Sequence, residues 1–177
     1  MEFNRTEIEG VLVFRGKRFF DHRGFFSELY KENLFLEKSV PKFVQDNLSE
    51  SSRGVIRGLH WQEHPFGQGK LVTCLSGSIL DVAVDVRHNS ISFGKHVAVK
   101  LTADEPMSLW VPTGFAHGFQ ALEDKTRVFY KVTDYWNKEA ERSLNPLDSE
   151  LDISWPIEDY LISDKDLAAP MLNQLAF

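Results

Sequence analysis

Five residues separate Gly54 from His60, one separates His60 from Gln62, and six separate Lys70 from Gly77. Glycines and polar residues at these intervals, set within apolar alternation, describe two strands that converge on a polar-lined cavity. The text around them agrees. From Val55 to Val132 short apolar runs are punctuated at Gly58, the Pro65 to Gly69 loop, Gly77, Asn89, Gly94, the Ala103 to Pro106 turn, Gly114 and Asp124. Strands at that spacing predict a sandwich or barrel, and no helix of useful length interrupts them to build an α/β sheet.

The Gly54 to Gly77 spacing resembles the first cupin motif, and Pro112, Gly114 and His117 resemble the second. That likeness implies an all-β fold, a cupin-type double-stranded β-helix or jelly-roll barrel with short peripheral helices. Metal-binding cupins carry a second histidine where this chain has Gln62, and a glutamate where it has Lys70. A divalent site needs about three or four N, O or S donors, and an ammonium puts fixed positive charge where the ion would sit. No metal ligand set and no cofactor are therefore expected. A barrel interior holding Lys70, two imidazoles and Arg57 suits stabilising negative charge on an organic substrate.

The 177 residues suffice for one domain with a full core, expected to span 1–177. A net charge of −6 argues against a nucleic-acid surface. Charges at Glu2, Arg5, Glu7 and Glu9 interrupt any signal-peptide run, and no window approaches a membrane span. Cys74 is the lone cysteine, which fits a reducing, cytoplasmic setting. The apolar alternations of Phe3 to Phe14 and Phe19 to Tyr30, the latter with a turn at Asp21-His22-Arg23-Gly24, predict hairpins. Glu32 to Lys38 has helical spacing, Phe43 to Ser49 reads as a strand, and the segment from about Trp136 is loop-rich with a short helix near Asp164 to Ala169.

Lys70, Val72 and Cys74 share one strand face. If Ser76-Gly77 is a two-residue hairpin turn, Asp81 lies diagonally from Lys70, either orienting the ammonium or forming a partly solvated ion pair. His60, with an ordinary pKa of about 6.5, can take a proton at neutral pH if a carboxylate fixes its tautomer. Spacing does not say which carboxylate. Arg57 and His60 point inward together only if Gly58 forms a bulge. Tyr130 can point into the barrel as a hydroxyl acid, or serve core or dimer packing. Arg23 and Glu28 flank Phe25 and Phe26 on what is either a solvated hairpin or a ligand-facing one. Gln45, Asp46 and Asn47 form a polar run in an apolar strand, and inward-facing Gln45 and Asn47 suggest a polar ligand.

Several longer runs appear in order: Phe20-Asp21-x-Arg23-Gly24-x-Phe26, Gln45-Asp46-Asn47-x-Ser49, Arg57-Gly58-Leu59-His60-x-Gln62, Gly114-Phe115-Ala116-His117-Gly118-Phe119 and Ser163-Asp164-Lys165-Asp166. Together they resemble the dTDP-4-dehydrorhamnose 3,5-epimerase family. The resemblance implies a homodimer, joined partly through the N-terminal hairpin region, that inverts C3 and C5 of a dTDP-linked 4-keto-6-deoxyhexose. It implies His60 as base with Asp166 as its carboxylate, Tyr130 as acid and Lys70 as the cation beside the enolate oxygen. It further implies Arg57, His117, Gln45, Asp46 and Asn47 around the sugar and phosphates, with Glu141 and Lys165 as ligand contacts. Arg23 and Glu28 would reach the nucleotide from the partner subunit. Asp81 and Trp136 support the site, and Trp136 departs from the tyrosine of many relatives. A C3-only epimerase is the alternative that uses the same residues. A metal-dependent cupin and a non-enzymatic sugar-binding cupin stand further off.

Overall fold

The computed structural model describes residues 2–175. Thirteen strands run through them: β1 Glu2–Arg5, β2 Leu12–Arg15, β3 Arg18–Asp21, β4 Gly24–Ser27, β5 Gln45–Ser51, β6 Ile56–Gln62, β7 Lys70–Ser76, β8 Ser78–Asp85, β9 His96–Thr102, β10 Met107–Val111, β11 Phe115–Ala121, β12 Thr126–Val132 and β13 Glu141–Ser143. Helices are confined to α1 Glu32–Leu36, α2 Asp164–Leu167 and a 3₁₀ turn at Leu172–Gln174. One sheet has the order β1-β2-β10-β7-β12-β5, a second has β13-β6-β11-β8-β9, and β3 and β4 form a separate hairpin.

The two large sheets lie face to face as a cupin-type jelly roll. Alternation on their inner faces sends Val72, Cys74, Ile79, Leu101, Leu109 and Val128 into one apolar cluster, all of them nearly or fully buried. Each such side chain contributes about 1.5–3 kcal/mol on leaving water. The outer face of the five-stranded sheet is also covered. Leu59, Val82, Val84 and Leu144 pack there beneath the C-terminal segment. A third cluster, Phe14, Phe35, Val40, Leu71 and Trp110, seats α1 against the six-stranded sheet.

The Asp21 to Gly24 turn closes the β3-β4 hairpin as expected, with Gly24 at φ +133°. The Ser76-Gly77 turn does not close a hairpin. β7 pairs with β10 and β12 while β8 pairs with β11 and β9, so the chain crosses there from one sheet to the other. Gly77, at φ +72° and pressed against Thr126, permits the crossing. Lys70 and Asp81 are therefore not diagonal neighbours on one sheet. They stand on opposite sheets.

Candidate active site

The interior alternation stops being apolar at one end of the roll. There a cavity of about 760 Å³ opens between the sheets. His60, Arg57 and His117 enter it from the five-stranded sheet, and Lys70, Tyr130, Gln45 and Asn47 from the six-stranded one. Glu141, Trp136, Lys165 and Asp166 reach it from the C-terminal segment.

Arg57 and His60 share this cavity because β6 is irregular. His117 faces His60 and Phe119 faces Arg57, so two residues of β6, Gly58 and Leu59, oppose Gly118 alone. The extra residue turns Arg57 to the cavity side while Leu59 stays in the outer core. Only glycine fits at this point. Gly58 has φ +120°, and a Cβ on it would stand 2.6 Å from both Gly118 Cα and His117 O.

Asp166 comes to His60 on a strap of chain that runs beside β6. Val55 and Leu161 form a parallel bridge, with Ile56 N–H donating to Leu161 O at 2.8 Å and Leu161 N–H donating to Gly54 O at 3.0 Å. Ser163 then caps α2, its hydroxyl accepting from the Asp166 N–H at 3.2 Å. This places Asp166 Oδ1 2.6 Å from His60 Nε2, while Oδ2 accepts from Gly58 N–H at 3.4 Å. Burial works to raise the Asp166 pKa, but the hydrogen bonds from His60, Gly58 and Ser163 outweigh it and hold the carboxyl below its usual range. An ionised carboxylate accepts only, so in the neutral imidazole Nε2 carries the proton and Nδ1 the lone pair. That is the form of a general base.

Tyr130 enters from β12 on the other sheet. Burial raises its pKa, with Arg57 opposing, so it is a phenol rather than a phenolate at neutral pH. Lys70 donates from Nζ to the His60 carbonyl at 3.1 Å. Burial brings its pKa down to about 8, against the pull of Asp81 and then Glu141. One hydrogen bond leaves two ammonium N–H groups for the cavity. Arg57 is braced by Ser51 Oγ at 2.9 Å and the Glu50 carbonyl at 3.1 Å. Gln45 Nε2 donates to Asn47 Oδ1 at 2.8 Å. Lys165 Nζ donates to Glu141 Oε2 at 2.6 Å.

Three expected site residues lie elsewhere. Asp46, between Gln45 and Asn47, projects from the opposite face of β5 and pairs with Lys131 at 2.6 Å. Arg23 pairs with Asp21 and Glu28 with Lys31, all on or beside the exposed hairpin. A fourth, Asp81, hydrogen-bonds His117, its Oδ1 2.7 Å from Nε2, and acts on Lys70 through charge alone. Two lining residues that sequence reasoning passed over follow from parity. Ser49 continues the inward series of Gln45 and Asn47, and Phe119 continues that of His117. The hydroxyl oxygen of Ser49 is buried with no hydrogen-bond partner among the described residues.

The position of the missing metal ligand is explained by what Gln62 does. Its side chain donates to the Phe66 and Tyr135 carbonyls and accepts from Asn137 N–H, which fixes loops outside the cavity. Two imidazoles with an ammonium beside them make a donor set unsuited to a divalent cation. They suit an anion formed during reaction.

Comparison with known proteins agrees with this geometry. Residues 5–174 match the family model described as dTDP-4-dehydrorhamnose 3,5-epimerase. A relative of that name from Shigella flexneri is 47% identical over 169 residues, covering 94% of this chain and 93% of its own. The crystal structure of dTDP-4-dehydrorhamnose 3,5-epimerase from Elizabethkingia anophelis superimposes with a TM-score of 0.93 at 42% identity, over 98% and 97% of the two chains. A Legionella pneumophila 3,5-epimerase, solved in complex with dTDP-4-keto-L-rhamnose, also gives 0.93, at 41% identity over 99% and 94%.

Proposed function

The chain belongs to the dTDP-4-dehydrorhamnose 3,5-epimerase family, and from that membership we propose how its site inverts C3 and C5 of dTDP-4-dehydro-6-deoxy-D-glucose. It is an isomerase. The observation that carries the mechanism is a carboxylate-paired imidazole on one sheet facing a cavity that the Tyr130 phenol and the Lys70 ammonium line from the other.

His60 Nδ1 takes the proton from the carbon beside the C4 ketone. The electron pair of the broken C–H bond moves into the ring, and the carbonyl oxygen becomes an enolate oxygen. Lys70 meets that charge with its two uncommitted N–H groups. Tyr130 returns a proton to the other face of the same carbon, which inverts it. Solvent then takes the proton from the His60 imidazolium and returns one to the Tyr130 phenolate, the cycle repeats at the second carbon flanking the ketone, and no group is oxidised or reduced.

Arg57, Gln45, Asn47 and Lys165 supply the polar wall for the nucleotide diphosphate and sugar, and Trp136 offers a flat surface at the rim. We place the reaction in the cytoplasm, which fits a lone, buried free thiol and a nucleotide-sugar substrate. The working form is a homodimer. Phe19, Phe20, Phe25 and Phe26 on the β3-β4 hairpin and Leu48 on β5 are all more than half exposed, an apolar surface of the kind a second copy covers. Such a dimer is what brings Arg23 and Glu28 to the neighbouring cavity. Sedimentation of a Phe20→Asp, Phe26→Asp double variant as a monomer with reduced activity would support that role, and an unchanged dimer would remove it.

The deciding experiment is turnover of dTDP-4-keto-6-deoxyglucose in D₂O, read by mass spectrometry. Two deuterons, one at C3 and one at C5, are expected. Incorporation at C3 alone would make the protein a mono-epimerase, and none would overturn the enzymatic reading.

A further inference from the structure

Asp81 is fully buried on β8, and only one of its oxygens is accounted for. Oδ1 meets Nε2 of His117, whereas Oδ2 is buried with no hydrogen-bond partner among the described residues. A carboxylate in such a place is costly unless charge and hydrogen bonds answer it. His117 answers only in part, because burial lowers its pKa despite Asp81 and keeps it neutral. The remaining answer comes from across the cavity. Lys70, on the other sheet, has two N–H groups with no partner among the described residues and senses Asp81 as its largest negative neighbour.

We propose that Asp81 is a positioning residue of the epimerisation, which orients His117 and Lys70 from the opposite sheet as one arm facing the enolate oxygen and sugar hydroxyls. This arm stands apart from the proton-moving arm of His60, Asp166 and Tyr130. The inference rests on the epimerase reading above. Its consequence for His117 is specific. With Nε2–H given to Asp81, the nitrogen left for the cavity is Nδ1 with its lone pair, so His117 accepts a hydrogen bond from a sugar hydroxyl. It does not donate to a phosphate oxygen.

The ammonium is surrounded by Asp81 on β8, Glu141 on β13, His60 and Arg57 on β6, His117 on β11 and Tyr130 on β12, with Asp166 and Lys165 on α2. Among these Asp81 contributes the largest attraction and Glu141 the next. Removing the Asp81 charge therefore leaves burial less opposed, and Lys70 loses its proton at lower pH.

The test is kcat/KM against pH for the wild type, Asp81→Asn and Asp81→Glu on the keto sugar. Asp81→Asn should move the alkaline limb down by about one pH unit and lower kcat more than it raises KM, and Asp81→Glu should restore the limb. An active wild type whose limb does not move in Asp81→Asn overturns the inference alone. An inert wild type overturns the epimerase reading and this inference with it. Should Asp81→Asn fail to fold, ¹⁵N NMR of histidine-labelled wild type decides instead, with His117→Asn assigning the signal. A neutral, Nε2-protonated His117 is required, and an Nδ1-protonated or cationic ring in the resting enzyme overturns the proposal.

Discussion

Asp166 stands 2.6 Å from His60 across a sequence separation of 106. The carboxylate both orients the imidazole and offsets the charge it gains on taking a proton. His60→Asn is expected to lower kcat by about 10²–10⁴-fold with little change in thermal midpoint, because the imidazole is only partly buried. Rapid-quench measurement of deuterium incorporation checks it. Near-normal exchange in this variant would remove His60 as the base.

Tyr130→Phe removes the donor and leaves the base. First abstraction should survive, so the variant should exchange substrate hydrogen with solvent while net inversion falls by about 10²-fold or more. Loss of exchange and inversion in equal measure would assign Tyr130 to binding.

In the proposed mechanism Lys70 is an ammonium when the enolate forms. Since burial brings it to about 8, wild-type kcat/KM should decline as pH rises through about 8 and the charge disappears. Lys70→Gln should lower kcat at all pH values and erase that limb. A limb that persists in Lys70→Gln belongs to another group.

Gly58→Ala tests the bulge. The new methyl would need to pass within 2.6 Å of Gly118 Cα and His117 O at a φ of +120°. Backbone strain of this kind costs about 1–3 kcal/mol, and relief by shifting β6 would carry His60 away from Asp166. Both urea midpoint and kcat should fall. A fall in stability with kcat intact would show that the bulge supports the fold without setting the base.

Asp85 contributes to stability in acid. Burial alone would raise its pKa, but hydrogen bonds from Arg87, Ser90 and Ser92 outweigh that and hold the carboxyl well below the ordinary range. Its contribution is therefore full above about pH 4, the unfolded value, and is lost as pH falls below it. Asp85→Asn should cost about 2 kcal/mol at pH 7 and flatten the urea midpoint between pH 5 and pH 3, in a titration of midpoint against pH.

The strand ladder was readable because alternation and turn residues are local signals. Gly58 was readable as a bulge because Arg57 and His60 have opposite parity in a regular strand yet both suit the cavity. The pairing of β7 was not readable. Ser-Gly serves a tight hairpin and a sheet-to-sheet crossing equally well, and only packing with Thr126 and the long-range partners β10 and β12 decides between them. The same error set Asp81 on the sheet of Lys70, whereas β8 and β7 belong to opposite sheets. Parity already separated Asp46 from Gln45 and Asn47, and extending it by one step would have found Ser49. The pairing of Asp166 with His60 came through family resemblance, since no local pattern joins residues so far apart.

The cavity wall and the carboxylate paired with His60 come largely from different parts of the chain. Most of the wall is woven into two sheets, whereas Asp166 hangs on a strap fastened at Leu161 and tied down by Ser163. The same strap brings Lys165 to the cavity. A descendant that rerouted it and kept the sheets would lose the partner of His60 and one cation of the wall together, so the short course from Leu161 to Asp166 couples the two.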